Sequence, residues 1–190
     1  MGLGAYAVVK KGIHKTTGKA YALKFYEKIK LLDIQKKNSV KREIAILASI
    51  DHPSLIKVYE VIDLPKQVIF KNKCKIVIVM DLVIGISLLN FLRTKKENRI
   101  GEKECSEIFY QIMSGVNYLH SINIYHRDIK LENIIINEEN NKIKLIDYGF
   151  SICAESNKLL NFLCGTPTYM PPEIVQKKDY LGILFVIIMN

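Results

Sequence analysis

Hydrophobic and polar positions alternate with strand-like period through the first part of the chain and recur every three or four residues through much of the rest. Ala5–Lys11 and Lys19–Tyr26 read as strands joined by a turn through Thr16, Thr17 and Gly18. The period changes from Asp33 to Ile50. Val40, Ile44, Leu47 and Ala48 lie three or four apart there, predicting an amphipathic helix with these residues inward. Asp51-His52-Pro53 ends it. Leu55–Ile62 and Lys75–Met80 return to strand character, and Ser87–Arg93 and Lys103–Ser121 read as helices. In the second helix Ile108, Ile112, Val116 and Leu119 form the stripe expected to be buried. Ile134–Ile136 and Ile143–Ile146 flank the polar run Asn137–Asn141, the pattern of a hairpin. The pattern predicts an α+β fold: a β-rich part over residues 1–80 with one major helix, a hinge over 81–85, and a helix-rich part over 86–190.

Composition supports a folded chain and narrows its class. Of 190 residues, 49% are hydrophobic and 25% charged, enough to build a core. The net charge of +9 sits in the first part. Lys and Arg outnumber Asp and Glu 16 to 6 through residue 75, and stand at 12 to 13 afterwards. Such a basic half can meet a phosphorylated ligand or an acidic partner, a solvated lysine-rich face is the plainer reading, and no aromatic-interleaved basic stripe points to nucleic acid. Cys74, Cys105, Cys153 and Cys164 are not spaced as a metal knuckle or redox pair, so reduced thiols in an intracellular, cytoplasmic protein are expected. The first residues lack the pattern of a signal peptide. The apolar run Leu181–Met189 is too short to span a bilayer and reads as a buried helix. Oligomeric state is left open.

The densest chemistry lies in His126-Arg127-Asp128-Ile129-Lys130-Leu131-Glu132-Asn133. An Asp five residues before an Asn suits a loop that holds a hydroxyl on one side and a metal on the other. Phosphoryl transfer needs positioning and charge neutralisation more than covalent help. Asp128 can accept a hydroxyl proton, Lys130 can balance charge on a moving phosphoryl group, and Asn133 can ligate Mg²⁺. A polar helix-capping loop is the plainer alternative. Asp147 then follows an apolar strand and precedes Tyr148-Gly149, which suits a second metal ligand or an ordinary Asx turn.

Together these segments resemble the catalytic loop and metal-binding motif of eukaryotic serine/threonine protein kinases. The rest of the family pattern can be followed along nearly the whole chain. Gly2-Leu3-Gly4-Ala5-Tyr6-Ala7-Val8-Val9 is similar to the glycine-rich loop over the ATP phosphates, with Ala7 at the third glycine. Tyr21-Ala22-Leu23-Lys24 resembles the strand whose lysine holds the α- and β-phosphates, and Glu43 matches its helix partner. The resemblance also implies that Val9 and Ala22 roof the adenine and that Ile135 lies beneath it. It makes Met80 the gatekeeper and assigns hinge hydrogen bonds to Asp81–Val83. Leu47, Val58, His126 and Tyr148 match a stacked apolar spine, Tyr148 replacing the usual Phe.

Cys164-Gly165-Thr166-Pro167 through Glu173 resembles the end of the activation segment, and Thr166 with Lys130 matches the serine/threonine signature. The text is similar to the calcium/calmodulin-dependent and AMP-activated kinase group. Implied are a two-lobe fold, ATP and Mg²⁺ as cofactors, and a protein substrate with a Ser/Thr acceptor. Phe162 stands where the family's activating phosphothreonine would be, so no dependence on phosphorylation there is expected. The family's leading strand and later helices have no counterpart here, which leads one to expect Glu173 without its arginine and a poorly supported second lobe. The alternative reading is a shortened kinase-like module for nucleotide binding or protein interaction, or a partial sequence.

Overall fold

The computed structural model describes residues 7–27, 33–64, 75–161 and 164–182. Gly2, Gly4, Phe162 and Ile183–Met189 lie outside them. The chain divides into two compact units, Met1–Ser49 with Ile56–Val83, and Ile50–Leu55 with Ile84–Asn190. The sequence reading kept Ile50–Leu55 with the first part.

The first unit is a four-stranded antiparallel sheet and one helix. Strands β1 (Ala7–Ile13), β2 (Ala20–Glu27), β3 (Val58–Leu64) and β4 (Lys75–Asp81) pair in the order β1-β2-β4-β3. The β1–β2 turn closes because Gly18 adopts φ of 70° and its N–H bonds the His14 carbonyl at 2.8 Å. Register sets Val9 opposite Lys24, and Ala22 opposite Met80. Helix α1 (Ile34–Ser49) starts where the Asp33 carboxylate accepts from the Gln35 N–H at 2.7 Å. Its buried residues are Val40, Glu43, Ile46 and Leu47. The expected stripe was partly wrong: Ile44 is half-buried and Ala48 exposed. The inward face turns to bring the Glu43 carboxylate to basic and hydroxyl partners on the sheet, a preference hydrophobic period cannot register.

In the second unit, β5 (Ile86–Ser87) pairs with β7 (Ile134–Ile136), which pairs with β8 (Ile143–Leu145); β6 (Ile124–Tyr125) pairs with β9 (Ile152–Cys153), and β10 (Leu159–Leu160) with β11 (Tyr180–Leu181). Helices α2 (Leu88–Thr94), α3 (Glu102–Ser121) and α4 (Pro172–Val175) complete it. Ser87 caps α2 by accepting from the Asn90 N–H. The α3 stripe of Ile108, Ile112, Val116 and Leu119 is buried as expected. Gly115 belongs to the same face; a Cβ there would meet Leu55 at 3.0 Å. The hairpin between β7 and β8 is closed by the Asn137 N–H donating to the Lys142 carbonyl at 2.9 Å.

Leu55 is not part of β3, contrary to the strand expected over Leu55–Ile62. It is 1% exposed, bridges to Leu145, and accepts from Lys144 Nζ through its carbonyl at 2.7 Å. Those contacts hold it in the second unit.

Gly85 is required by both its backbone and its surroundings. Its φ is 142°, and a Cβ would lie 2.1 Å from the Ile136 carbonyl oxygen. Gly85→Ala is therefore expected to destabilise the chain by at least about 2 kcal/mol, since backbone must move to admit the methyl. A denaturant midpoint indistinguishable from wild type would contradict that.

Candidate active site

Two sets of polar residues stand out, one in each unit. In the first, Lys24 Nζ lies 2.6 Å from Glu43 Oε1, and the Tyr26 hydroxyl donates to Glu43 Oε2 at 2.8 Å. Glu43 is 5% exposed, so its charge is stabilised by these two donors rather than by water. Glu43 is therefore a buried, paired carboxylate and not a solvated one on the helix surface. Lys24 and Ala22 share one face of β2 by alternation, with Ile78 and Met80 opposite them on β4.

The second set is built around Asp128, which is 4% exposed. Its Oδ1 accepts from the Thr166 hydroxyl at 2.7 Å. Its Oδ2 accepts from Asn133 Nδ2 at 2.9 Å and lies 3.0 Å from Lys130 Nζ. Lys130 also donates to Thr166 Oγ1 at 2.6 Å, so the threonine receives one hydrogen bond and passes one on. Burial pushes the Asp128 carboxyl up. The donors on Thr166, Lys130 and Asn133 outweigh it and hold the group below its ordinary range. Asp128 is thus an ionised acceptor at neutral pH. By count Oδ1 keeps one lone pair for a further donor. The sequence reading named Thr166 as a signature but missed its place in this network.

His126 fixes the loop from below. Its Nδ1 accepts from the Asp128 N–H at 3.3 Å, which leaves the proton on Nε2, 3.2 Å from the Ile146 carbonyl. Burial lowers the pKa of this imidazole, in keeping with a neutral ring. Arg127, at φ of 63° and 3% exposed, donates through Nε to the Phe150 carbonyl at 2.8 Å and through Nη1 to the Tyr180 hydroxyl at 3.5 Å. A left-handed conformation at a bulky residue is costly and is maintained here by those contacts.

Asn133 and Asp147 are tied at the backbone. The Ile146 N–H donates to the Asn133 carbonyl at 2.8 Å, directly before Asp147. Asn133 Nδ2 spends its hydrogens on the Asp128 carbonyl at 2.8 Å and carboxylate. Its side-chain oxygen is therefore the end left to accept, which suits a hard cation. Asp147 is exposed, with φ of 64° and Oδ1 accepting from the Gly149 N–H at 3.3 Å. A carboxylate and an amide oxygen fit Mg²⁺, whose remaining ligands are commonly phosphate oxygens and water. Among the described residues no three His, Cys, Asp or Glu side chains gather as a metal site by themselves.

The family model described as protein kinase domain matches residues 1–184. The chain belongs to the protein kinase family. It is 37% identical over 182 residues to human NUAK family SNF1-like kinase 1, covering 96% of the chain and 26% of that protein. It is 35% identical over 185 residues to CBL-interacting protein kinase 11 of Oryza sativa subsp. japonica, covering 96% of the chain and 35% of that protein. The chain thus spans about a quarter to a third of the length of these relatives. The kinase match agrees with the serine/threonine family and group that the motifs resemble, and with an α+β kinase fold.

One kinase-motif position carries a cost. Tyr148 is fully buried with its ring 4.9 Å from that of His126, and its hydroxyl has no hydrogen-bond partner among the described residues. Burial pushes its pKa far up, keeping it protonated. Tyr148→Phe keeps the ring contact and removes the stranded hydroxyl. It is expected to raise stability by about 1 kcal/mol, seen as a higher thermal midpoint. A lower midpoint would show that the hydroxyl is satisfied.

Proposed function

We propose that this chain transfers the γ-phosphoryl group of ATP to Ser and Thr hydroxyls of protein substrates, with Mg²⁺. The observation that carries the reading is the buried, ionised Asp128 held by Thr166, Lys130 and Asn133. Asp128 Oδ1 receives the acceptor hydroxyl and takes its proton as that oxygen bonds to phosphorus. The bond from the γ-phosphorus to the β,γ-bridging oxygen breaks, and ADP leaves. Lys130 offsets negative charge on the moving group. Asn133 and Asp147 would hold Mg²⁺, which supplies charge neutralisation to the phosphates.

In the first unit Lys24, steered by Glu43, is assigned to the α- and β-phosphates. Val9, Ala22, Met80 and Ile135 are assigned to the adenine, and the Asp81–Val83 backbone to its polar edge. Gly2 and Gly4, assigned to the phosphates, lie outside the described residues. The free thiols of Cys105, Cys153 and Cys164 fit an intracellular, cytoplasmic setting. No helix among the described residues is long and apolar enough to cross a membrane.

The test is a set of peptides that differ only in a central Ser, Thr, Tyr or Ala, incubated with Mg-ATP and examined by mass spectrometry. Phosphate on the Ser and Thr peptides is expected. Phosphate on Tyr alone, or on none, would contradict the reading.

A further inference from the structure

The end of β4 carries a side-chain cluster that the kinase motifs do not account for. Asp81 is the last residue of β4 and sits opposite Tyr21 on β2. Its N–H bonds the Lys57 carbonyl at 2.9 Å, the Tyr59 hydroxyl donates to its Oδ1 at 2.8 Å, and the Lys57 N–H approaches its Oδ2 at 3.4 Å. The Tyr59 and Tyr21 rings meet edge to face at 5.1 Å. Lys19 Nζ stands 4.7 Å from the Tyr59 ring centre and 5.2 Å from that of Tyr21, and donates to the Tyr59 hydroxyl at 3.4 Å. One carboxylate is thus held from β3 while β2 and the residue before it brace the tyrosine that holds it.

The backbone explains how Tyr59 reaches this position. The β3–β4 register shifts between Val58 and Glu60: Val58 faces Met80, whereas Glu60 faces Val79. Tyr59 is the extra residue of that bulge, and a bulge re-aims a side chain. The ring is 43% exposed, so it is not there to fill a core. The contact it makes falls on the last sheet-paired residue before Leu82 and Val83, which lie in no strand or helix.

We propose that Tyr59 is a positioning residue for adenine recognition, fixing Asp81 so that the Asp81–Val83 backbone is presented in one conformation, with Lys19 and Tyr21 as its brace. The inference rests on the nucleotide-binding reading above. Its role is to reduce the ordering that the ligand itself would otherwise impose on this segment. It acts on the base and not on the phosphates.

Tyr59→Phe removes the hydroxyl and keeps the ring, so the two roles can be separated in the full chain. Affinity is measured for Mg-ADP and for magnesium tripolyphosphate, which has phosphates but no base. The expected result is about three- to tenfold weaker Mg-ADP binding, the scale of one lost charge-assisted hydrogen bond acting indirectly, with tripolyphosphate unchanged. Equal affinity of Tyr59→Phe and wild type for Mg-ADP would overturn the inference alone. So would equal weakening for both ligands, which marks a general loss of structure. A wild-type chain that binds no Mg-ADP would overturn the nucleotide reading and this inference with it.

Discussion

Asp128→Ala is expected to lower phosphoryl transfer by about 10²–10⁴-fold, the usual range for removing a positioned general base, while ATP affinity stays within about twofold of wild type. The split follows from what Asp128 touches. Its carboxylate meets Thr166, Lys130 and Asn133, and its proposed ligand is the acceptor hydroxyl, not the nucleotide. Truncation also removes one partner each from Thr166, Lys130 and the Asn133 amide. Asp128→Asn, which keeps the size of the side chain, separates chemistry from collapse: it should lose transfer with little change in thermal midpoint. A variant with near-normal turnover would remove Asp128 from the role assigned.

Asp147→Ala is expected to abolish the dependence of ATP affinity on Mg²⁺. In wild type, Mg²⁺ should tighten ATP on the order of tenfold, because Asp147 and Asn133 would hold the metal and it would supply charge neutralisation to the phosphates. In the variant that ratio should fall to about one, since Asn133 alone is a neutral ligand. Asp147 is exposed, and a thermal midpoint close to wild type is the expected check that the variant still folds. Calorimetric titration with and without Mg²⁺ reads the ratio directly. An unchanged ratio in Asp147→Ala would place the metal elsewhere.

How far the site could be read in advance depends on how locally it is encoded. Asp128, Lys130 and Asn133 lie within one eight-residue stretch whose polar pattern is improbable as packing, so their shared location was legible. The α3 stripe was legible for a similar reason: its inward residues are all apolar at helical spacing. The inward face of α1 was not, because Glu43 is buried against Lys24 and Tyr26, and a charged residue lowers any hydrophobic signal for the face that holds it. Leu55 looked like the start of a strand because β-branched and apolar neighbours follow it. What places it elsewhere is a bridge to Leu145, ninety residues on, which no local pattern announces.

The same limit applies to Gly85 and Tyr59. Gly85 is needed because the Ile136 carbonyl approaches its backbone, and Tyr59 is turned toward Asp81 by a bulge defined only once β3 and β4 pair. Thr166 is intermediate. The motif around it was recognisable, yet its hydrogen bonds to Asp128 and Lys130 join groups almost forty residues apart. Sequence therefore revealed which chemistry is present more fully than which contacts set it in place.

The most direct measurement follows the γ-phosphate itself. The chain is mixed with ATP labelled at the γ position, Mg²⁺ and a serine-containing peptide, and the label is traced with time. The account predicts label in the peptide, one ADP formed per phosphopeptide, no transfer without Mg²⁺ and transfer lowered about 10²–10⁴-fold in Asp128→Ala. Label appearing only as free phosphate, or remaining in ATP, would contradict it.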